Sequence, residues 1–561
     1  MRKAIMDGPL AIGVTGRHRV VYFNKVSVAF SFCFLLNLAA MPLKAYLSEA
    51  LPWSPRPTPT VGVQVGPNQT FEMYEAHALE FYRNHYNNST LDLKTLYAFD
   101  PAQALDIIWV PIAFVDAGDF SFAGLPGSTF YSRRARRTVK GFMTRTSNLS
   151  SVAVIEVGTL LGQPSSVSGV WVEVLPTTNA TFLYFAAQLS PGSTQWLYIK
   201  FAYRIGLTCV ILERMWSTYF RHYRTLLWNL RALGVPNVTD TTFIEIVIGD
   251  PTALILQNTL VCGLFVIDFW CSMEIVGQSF VRLSQLQNLV TFSLAALYLS
   301  RTVWFAYLLL NLTGRTVRRY HLERLIAQVD PTTVAIAVLV SVGPVTFLQS
   351  RSGFFVDVYH FLFTFIVPND HIDDYKEDCL AAMLYSILIG LLPINYGFGK
   401  PIARALHERA RGMLRRQARS IRVRPLRSHA TRRVTRHADD FGKFVYNDWK
   451  HRCLYSILTA LNPQHVSALF IGGSIYKLFD THRGFQRNAA FSFRGSDCYV
   501  IAHSPTSVLS YRLSLIDCLH LHHPHLKLHN TYKRAFGHIE FAPETESLVV
   551  TLGRDKARWV Q

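Results

Sequence analysis

Six stretches of the sequence are apolar over lengths that approach or exceed the roughly 18 residues a helix needs to cross a bilayer. No other feature constrains the fold as strongly. The stretches are 26–45, 196–219, 251–276, 289–312, 333–348 and 379–394. The last two are short and need neutral flanking residues to span. A seventh, Phe354–Val367, is shorter still and holds Asp357 and His360, so it reads as interfacial or re-entrant. The first stretch follows Arg2, Lys3, Arg17, Arg19 and Lys25. Its apolar core is longer than that of a signal peptide and no A-x-A site follows, which favours an uncleaved signal-anchor. Charged residues make up 17% of the chain, against about 25% in an average soluble domain. A wholly soluble or disordered protein is therefore excluded.

The expected fold is a polytopic α-helical membrane protein of about six transmembrane helices. It would carry an α+β extracytosolic domain and an α+β cytosolic C-terminal domain. The boundaries follow from the apolar stretches: an N-terminal segment (1–25), the signal-anchor (26–45), the outer domain (48–195), five further spans (196–398), an Arg-rich juxtamembrane segment (399–443) and the C-terminal domain (444–561).

Charge orients this scheme, because Lys and Arg collect on the cytosolic side of spans. The net charge is +19, and the stretch from Lys400 to Lys443 holds 14 bases against three acids. The N-terminal segment and the 217–249 and 313–330 loops are also basic, while the 350–377 loop is acidic. Both termini are thus expected in the cytosol, in the plasma membrane or an endomembrane. The lipid bilayer is the expected partner, with its anionic headgroups at Arg404–Arg436. Nucleic acid is set aside, since no nucleic-acid-binding fold accompanies the basic run.

Asn68, Asn87, Asn88, Asn148 and Asn179 each begin N-x-S/T within the outer domain, which has no cysteine, and are the expected glycosylation sites. Asn237 and Asn311 also begin sequons but fall on the inner side. Within the outer domain, a helix is predicted on TFEMYEAHALEFYRNHY, where Phe71, Tyr74, Ala78 and Tyr82 share a face. Strands are predicted on DIIWVPIAFV, VAVIEVG, GVWVEVLP and ATFLYFAA. The Arg133–Arg137 run reads as a solvated loop. In the C-terminal domain a helix on FVYNDWKHRCLYSILTAL precedes strands on ALFIGGSIYKLF, DCYVIAH, VLSYRLSLI, AFGHIEF and SLVVTLG. Gly472-Gly473-Ser474 reads as a tight turn.

The chemistry the sequence offers is sparse. There is no GxxxxGK[ST], GxSxG, HExxH or kinase signature, so no catalytic residue and no cofactor is assigned. Eight cysteines include no CxxC pair. The densest polar cluster is CLHLHHPHLKLH, where His520 and His522, two apart on a strand, would share a face as weak metal-ligand candidates. The most informative residues are charges within apolar stretches: Lys200, Arg204, Asp268, Glu274 and Arg301. Such groups pair with one another or line a cavity. Helical rise brings Arg204 level with Asp268 and Lys200 level with Glu274. Asp268 and Glu274 lie about 120° apart on one continuous helix, so both pairs should not form well together. A receptor-like or scaffolding role toward a protein or small-molecule ligand fits the weight of chain outside the spans. A transporter or channel built on these charges, and a membrane-bound enzyme, are the alternatives.

Overall fold

The computed structural model describes residues 20–366, 375–377, 384–399, 403, 406–407, 448–461 and 474–561, except 67, 93, 147–152, 161, 175–179, 191, 237–240 and 506. Strand β1 (Val20–Phe23) leads into helix α1 (Lys25–Ala39), whose first turn is capped by Asn24 accepting from the Ser27 amide. Helix α2 (Phe71–His85) buries Tyr74, Ala78, Phe81 and Tyr82. Strands β2 (Tyr97–Asp100) and β3 (Leu105–Ile112) follow. Helix α3 (Arg133–Met143) comes next, capped by Ser132. Strands β4 (Ala153–Leu160), β5 (Gln163–Val174) and β6 (Thr181–Leu189) complete the meander.

With β8 (Tyr375–Glu377) these strands order as β2-β3-β6-β5-β4-β8. Alternation of side chains sets the two faces. Trp171 and Tyr184 stack under Tyr82 of α2. Their neighbours Val170, Val172, Leu183 and Phe185 point the other way, onto Val139 and Phe142 of α3. The Arg133–Arg137 run is therefore the first turn of a helix rather than a loop. It folds this way because Ser132 caps it and Ala135 and Val139 give it a buried side.

Helix α4 (Thr194–Met215) leaves β6 and leads through a π-turn into α5 (Arg221–Leu233) and strand β7 (Phe243–Val247). Short helices α6 (Thr252–Leu256), α7 (Thr259–Trp270) and α8 (Met273–Leu283) follow. Then come α9 (Leu289–Leu299), α10 (Val303–Arg319), α11 (Pro331–Val340), α12 (Thr346–Ser350) and α13 (Gly353–Ile366).

The second β unit draws on three distant parts of the chain. β1 pairs in parallel with β7, and β7 pairs antiparallel with β9 (Cys498–His503). The sheet continues through β10 (Val508–Leu515) to β14 (Trp559–Val560). A second, three-stranded sheet orders β11 (Leu526–Asn530), β13 (Ser547–Leu552) and β12 (His538–Ala542). Residues Trp449–Leu461 are helical as expected, but Ser474–Thr481, expected as strand, is a helix that buries Ile475, Tyr476 and Phe479.

This architecture corrects the expectation of a six-span helical membrane protein. Its described residues build an α+β structure with three sheets. Among the described residues, two helices are long and apolar enough to cross a membrane, Leu289–Arg319 and Pro331–Ser350. A third would count if α7 and α8, bent by 73°, formed one span. The remaining stretches fail for separate physical reasons. α1 has 15 residues, about 22 Å of helix, short of the roughly 30 Å hydrocarbon core. α4 carries Lys200, Arg204, Glu213 and Arg214. The 379–394 stretch lies partly outside the described residues, and its visible helix, Leu384–Gly399, is short. Phe354–Val367 is helical through Ile366 and packs Val356 against the first β unit.

Helices tie the two β units together. α4 starts five residues after β6 ends, runs 22 residues, about 33 Å, and Tyr219 and Tyr223 beyond its end pack on Trp559. The 31-residue helix Leu289–Arg319 does the same. Just before it, Arg282 bonds Asp106 of β3 at 3.0 Å, and near its end Arg318 donates to the Gln486 carbonyl. The units therefore sit at opposite ends of the bundle.

Candidate functional site

Lys200 and Arg204 lie four apart on α4, so both face the same way, into the bundle, and both are buried. Arg204 Nε donates to Asp268 Oδ1 of α7 at 2.8 Å. Its two terminal nitrogens donate to the two oxygens of Glu49, each at 2.8 Å, a bidentate fork. Glu49 enters on the turn after Leu43–Leu47, where its amide bonds the Ala45 carbonyl. Arg301 sits in the tight turn between α9 and α10 and reaches both Asp268 and Glu49. Tyr298 donates to Glu49 Oε1 at 2.7 Å. Lys200 Nζ lies 3.3 Å from Glu49 and 3.5 Å from Glu274.

The cluster thus holds three bases and three acids, and each of the six has an oppositely charged neighbour within 3.5 Å. Burial alone would raise the Glu49 carboxyl. The Arg204 guanidinium bonded to it, with Lys200 and Arg301 beside it, holds it instead at about 2. Glu49 is thus held in its charged form by the bases around it, and the close pairing of all six groups makes the cluster an electrostatic lock on the bundle.

Sequence reasoning named Lys200, Arg204, Asp268, Glu274 and Arg301, and the structure brings all five together. It expected that the Lys200–Glu274 and Arg204–Asp268 pairs would compete. They coexist because the chain breaks at Cys271–Ser272, which puts Glu274 on a new helix with its own direction. Glu49, the hub, was missed. Its signal was present: it is the single acid between Asp7 and Glu72, and it stands at the end of the first apolar stretch.

A second polar constellation lies where the span-forming α11 meets the second β unit. A cavity of about 400 Å³ is lined by Glu323, Asp330, Asp448, Arg452, Arg483 and Arg494 among others. Asp330 caps α11 and accepts from the Trp449 amide at 2.9 Å. Buried Asp448 accepts from Ser492 Oγ at 2.5 Å and from the Gly495 amide at 2.7 Å. Burial, and then the Asp330 carboxylate, push Asp448 up to about 6. The folded state therefore binds a proton more tightly than the unfolded chain, whose Asp titrates near 4. The contribution of Asp448 to stability is therefore full below about pH 4 and is lost as the pH rises through about 6. Urea unfolding between pH 4 and 7 checks this. Asp448→Asn should flatten the profile across that window.

The other sequence-level sites fare unevenly. His520 and His522 do not share a strand face. Residues 520–525 form turns, with the His523 amide on the His520 carbonyl, and it is His523 whose ring faces His520, at 6.0 Å. Among the described residues no group of three or more His, Cys, Asp or Glu is arranged to hold a metal ion. Asn68 is exposed. The Asn87 amide donates to the Arg83 and Asn84 carbonyls, and Asn88 accepts from the Tyr184 hydroxyl, so both side chains are engaged. Asn311 is buried and bonds the Leu256 carbonyl at 2.8 Å. Asn148, Asn179, Asn237 and Gly472-Gly473 lie outside the described residues. So does Arg404–Arg436, except Leu406 and His407. No family model matches this chain, and neither a curated protein nor a solved structure matches it.

Proposed function

We propose that the chain is a membrane-associated scaffolding or receptor-like protein, in which a helical bundle holds two β units a fixed distance apart. The observation that carries this reading is the charge lock. Its six acidic and basic side chains are paired with one another inside the bundle, between the two units that α4 and Leu289–Arg319 connect. A solute path would need such groups to exchange partners with the solute. A bidentate Arg204–Glu49 fork buttressed by Arg301, Tyr298 and Lys200 opposes that exchange. The shared sheet of β1, β7 and β9 supports placing the N-terminal and C-terminal parts on one side of the membrane, which the basic segments would make the cytosolic one.

Proteoliposomes containing the purified chain test the reading. They should hold gradients of potassium, a labelled amino acid and a labelled sugar as long as empty vesicles do. Flux that depends on the chain and is abolished by Glu49→Gln would favour the transporter alternative and overturn the scaffold.

A further inference from the structure

Between the first β unit and the helix ends lies a small cavity of about 80 Å³, separate from the charge lock. It has room for about six waters. Its walls come from four directions. Gly127–Thr129 closes it from the β unit, Phe280, Val281, Leu283 and Ser284 from the end of α8, Thr346 and Gln349–Ser350 from α12, and Val356 and Tyr359 from α13. Tyr385 completes the lining.

None of the lining residues is a Lys, Arg, His, Asp or Glu. The polar ones bond among themselves or to backbone. Tyr385 and Thr346 share a hydrogen bond of 2.6 Å, and Tyr359 donates to Gln349 at 3.3 Å. The hydroxyls of Ser128, Ser284 and Ser350 donate to the carbonyls of Phe122, Val281 and Phe347. Such a wall offers dispersion contacts and little to a charged group, whose desolvation would go uncompensated. The cavity also adjoins the apolar exterior: Leu348 on α12 and Phe354 and Phe361 on α13 are each more than 60% exposed. α12 is the last part of the candidate span Pro331–Ser350.

We propose that this cavity takes the hydrocarbon chain of a bilayer phospholipid, drawn in past Leu348 and Phe354 at the end of the span. The proposal rests on the membrane reading above. Its energetic basis is the dispersion contact an acyl chain makes with Phe280, Val281, Leu283 and Val356 in an otherwise empty space, without stranding any polar group.

Photolabelling tests it. The full chain would be reconstituted in phosphatidylcholine vesicles containing a few per cent of phosphatidylcholine with a diazirine in its acyl chain, irradiated and mapped by mass spectrometry. Adducts are expected on 280–284 and 346–350, in addition to the outer positions Leu297, Ile336 and Leu339, which are exposed. Val281→Phe fills the cavity and should lower the lining adducts at least five-fold while the outer adducts stay unchanged. Should that variant fail to fold, Ser284→Phe, on the same wall, makes the same prediction. Equal lining adducts in a folded filled variant, or adducts confined to the outer positions, would overturn the proposal. So would lining adducts from a free diazirine-bearing fatty alcohol but not from the phospholipid. Failure of the chain to float with the vesicles would instead sink the membrane reading, and flotation is measured first for that reason.

Discussion

Glu49→Leu is expected to be among the most damaging single substitutions in this chain, costing about 3–5 kcal/mol because it strands buried charge. The cluster then holds Lys200, Arg204 and Arg301 against Asp268 and Glu274 only, and Arg204 loses both arms of its fork. Arg204→Leu leaves the opposite excess, with Glu49 keeping Arg301 at 3.4 Å and Lys200 at 3.3 Å. It should cost nearly as much. The double variant Arg204→Leu/Asp268→Leu restores two bases against two acids, Lys200 and Arg301 against Glu49 and Glu274. It should therefore be more stable than either of its parents. The yield and thermal midpoint of purified protein in detergent report all four. If Glu49→Leu matched the unmodified chain, Glu49 would not be the hub. Additive losses in the double variant would show that the six groups do not act as one balanced unit.

How much of this was legible beforehand depends on the range of the interaction. Period-two alternation over GVWVEVLP and ATFLYFAA follows from one sheet face meeting α2 and the other α3, and both strands fold as their pattern predicts. The face of α2 was equally visible, because helical spacing is a local property. The charges at 200, 204, 268, 274 and 301 stood out because each is costly where it lies. Their assembly could be anticipated for Arg204 and Asp268 by counting rise along two helices. Glu49 could not be placed that way, since it reaches the cluster from a turn whose path no periodicity describes.

The span count went wrong because hydropathy measures how apolar a segment is and not what covers it. Val261, Phe265 and Phe269 of α7 pack onto the bundle core with Trp304 and Tyr307 of α10, so these residues serve as protein interior. Asn258 and the Cys271–Ser272 turn then cut 251–276 into short helices, and an apolarity average passes over both. The second β unit was misdrawn for a related reason. VVYF and FIEIV are too short to announce themselves as strands, and they acquire strand partners only when residues more than 200 positions apart meet. The domain boundary drawn at 444 therefore excluded two of the strands in its own sheet.

That sheet carries the second large effect. Asp497 precedes β9 and is fully buried, accepting from Arg512 Nε at 2.5 Å, Ser514 Oγ at 2.7 Å and Tyr476 Oη at 2.9 Å. Arg512 lies opposite Tyr499 in the β9–β10 register, with its guanidinium over the Tyr476 and Tyr499 rings. The same Asp497 presses on the segment after β7, where a Cβ on Gly249 would stand 2.3 Å from the Asp497 carbonyl oxygen. Arg512→Leu should cost about 3–5 kcal/mol, because the carboxylate keeps its two hydroxyl donors and loses its only full charge partner in this set. Arg512→Lys should cost less, since it returns the charge without the planar fork or the ring contacts. The loss should spread along the sheet: hydrogen exchange at β9 and β10 should quicken first. If exchange in Arg512→Leu stayed unchanged at β1 and β7 while β10 opened, the N-terminal strand would be held by the bundle, through the Asn24 cap and α1. The shared sheet would then be a consequence of how the units dock and not its cause.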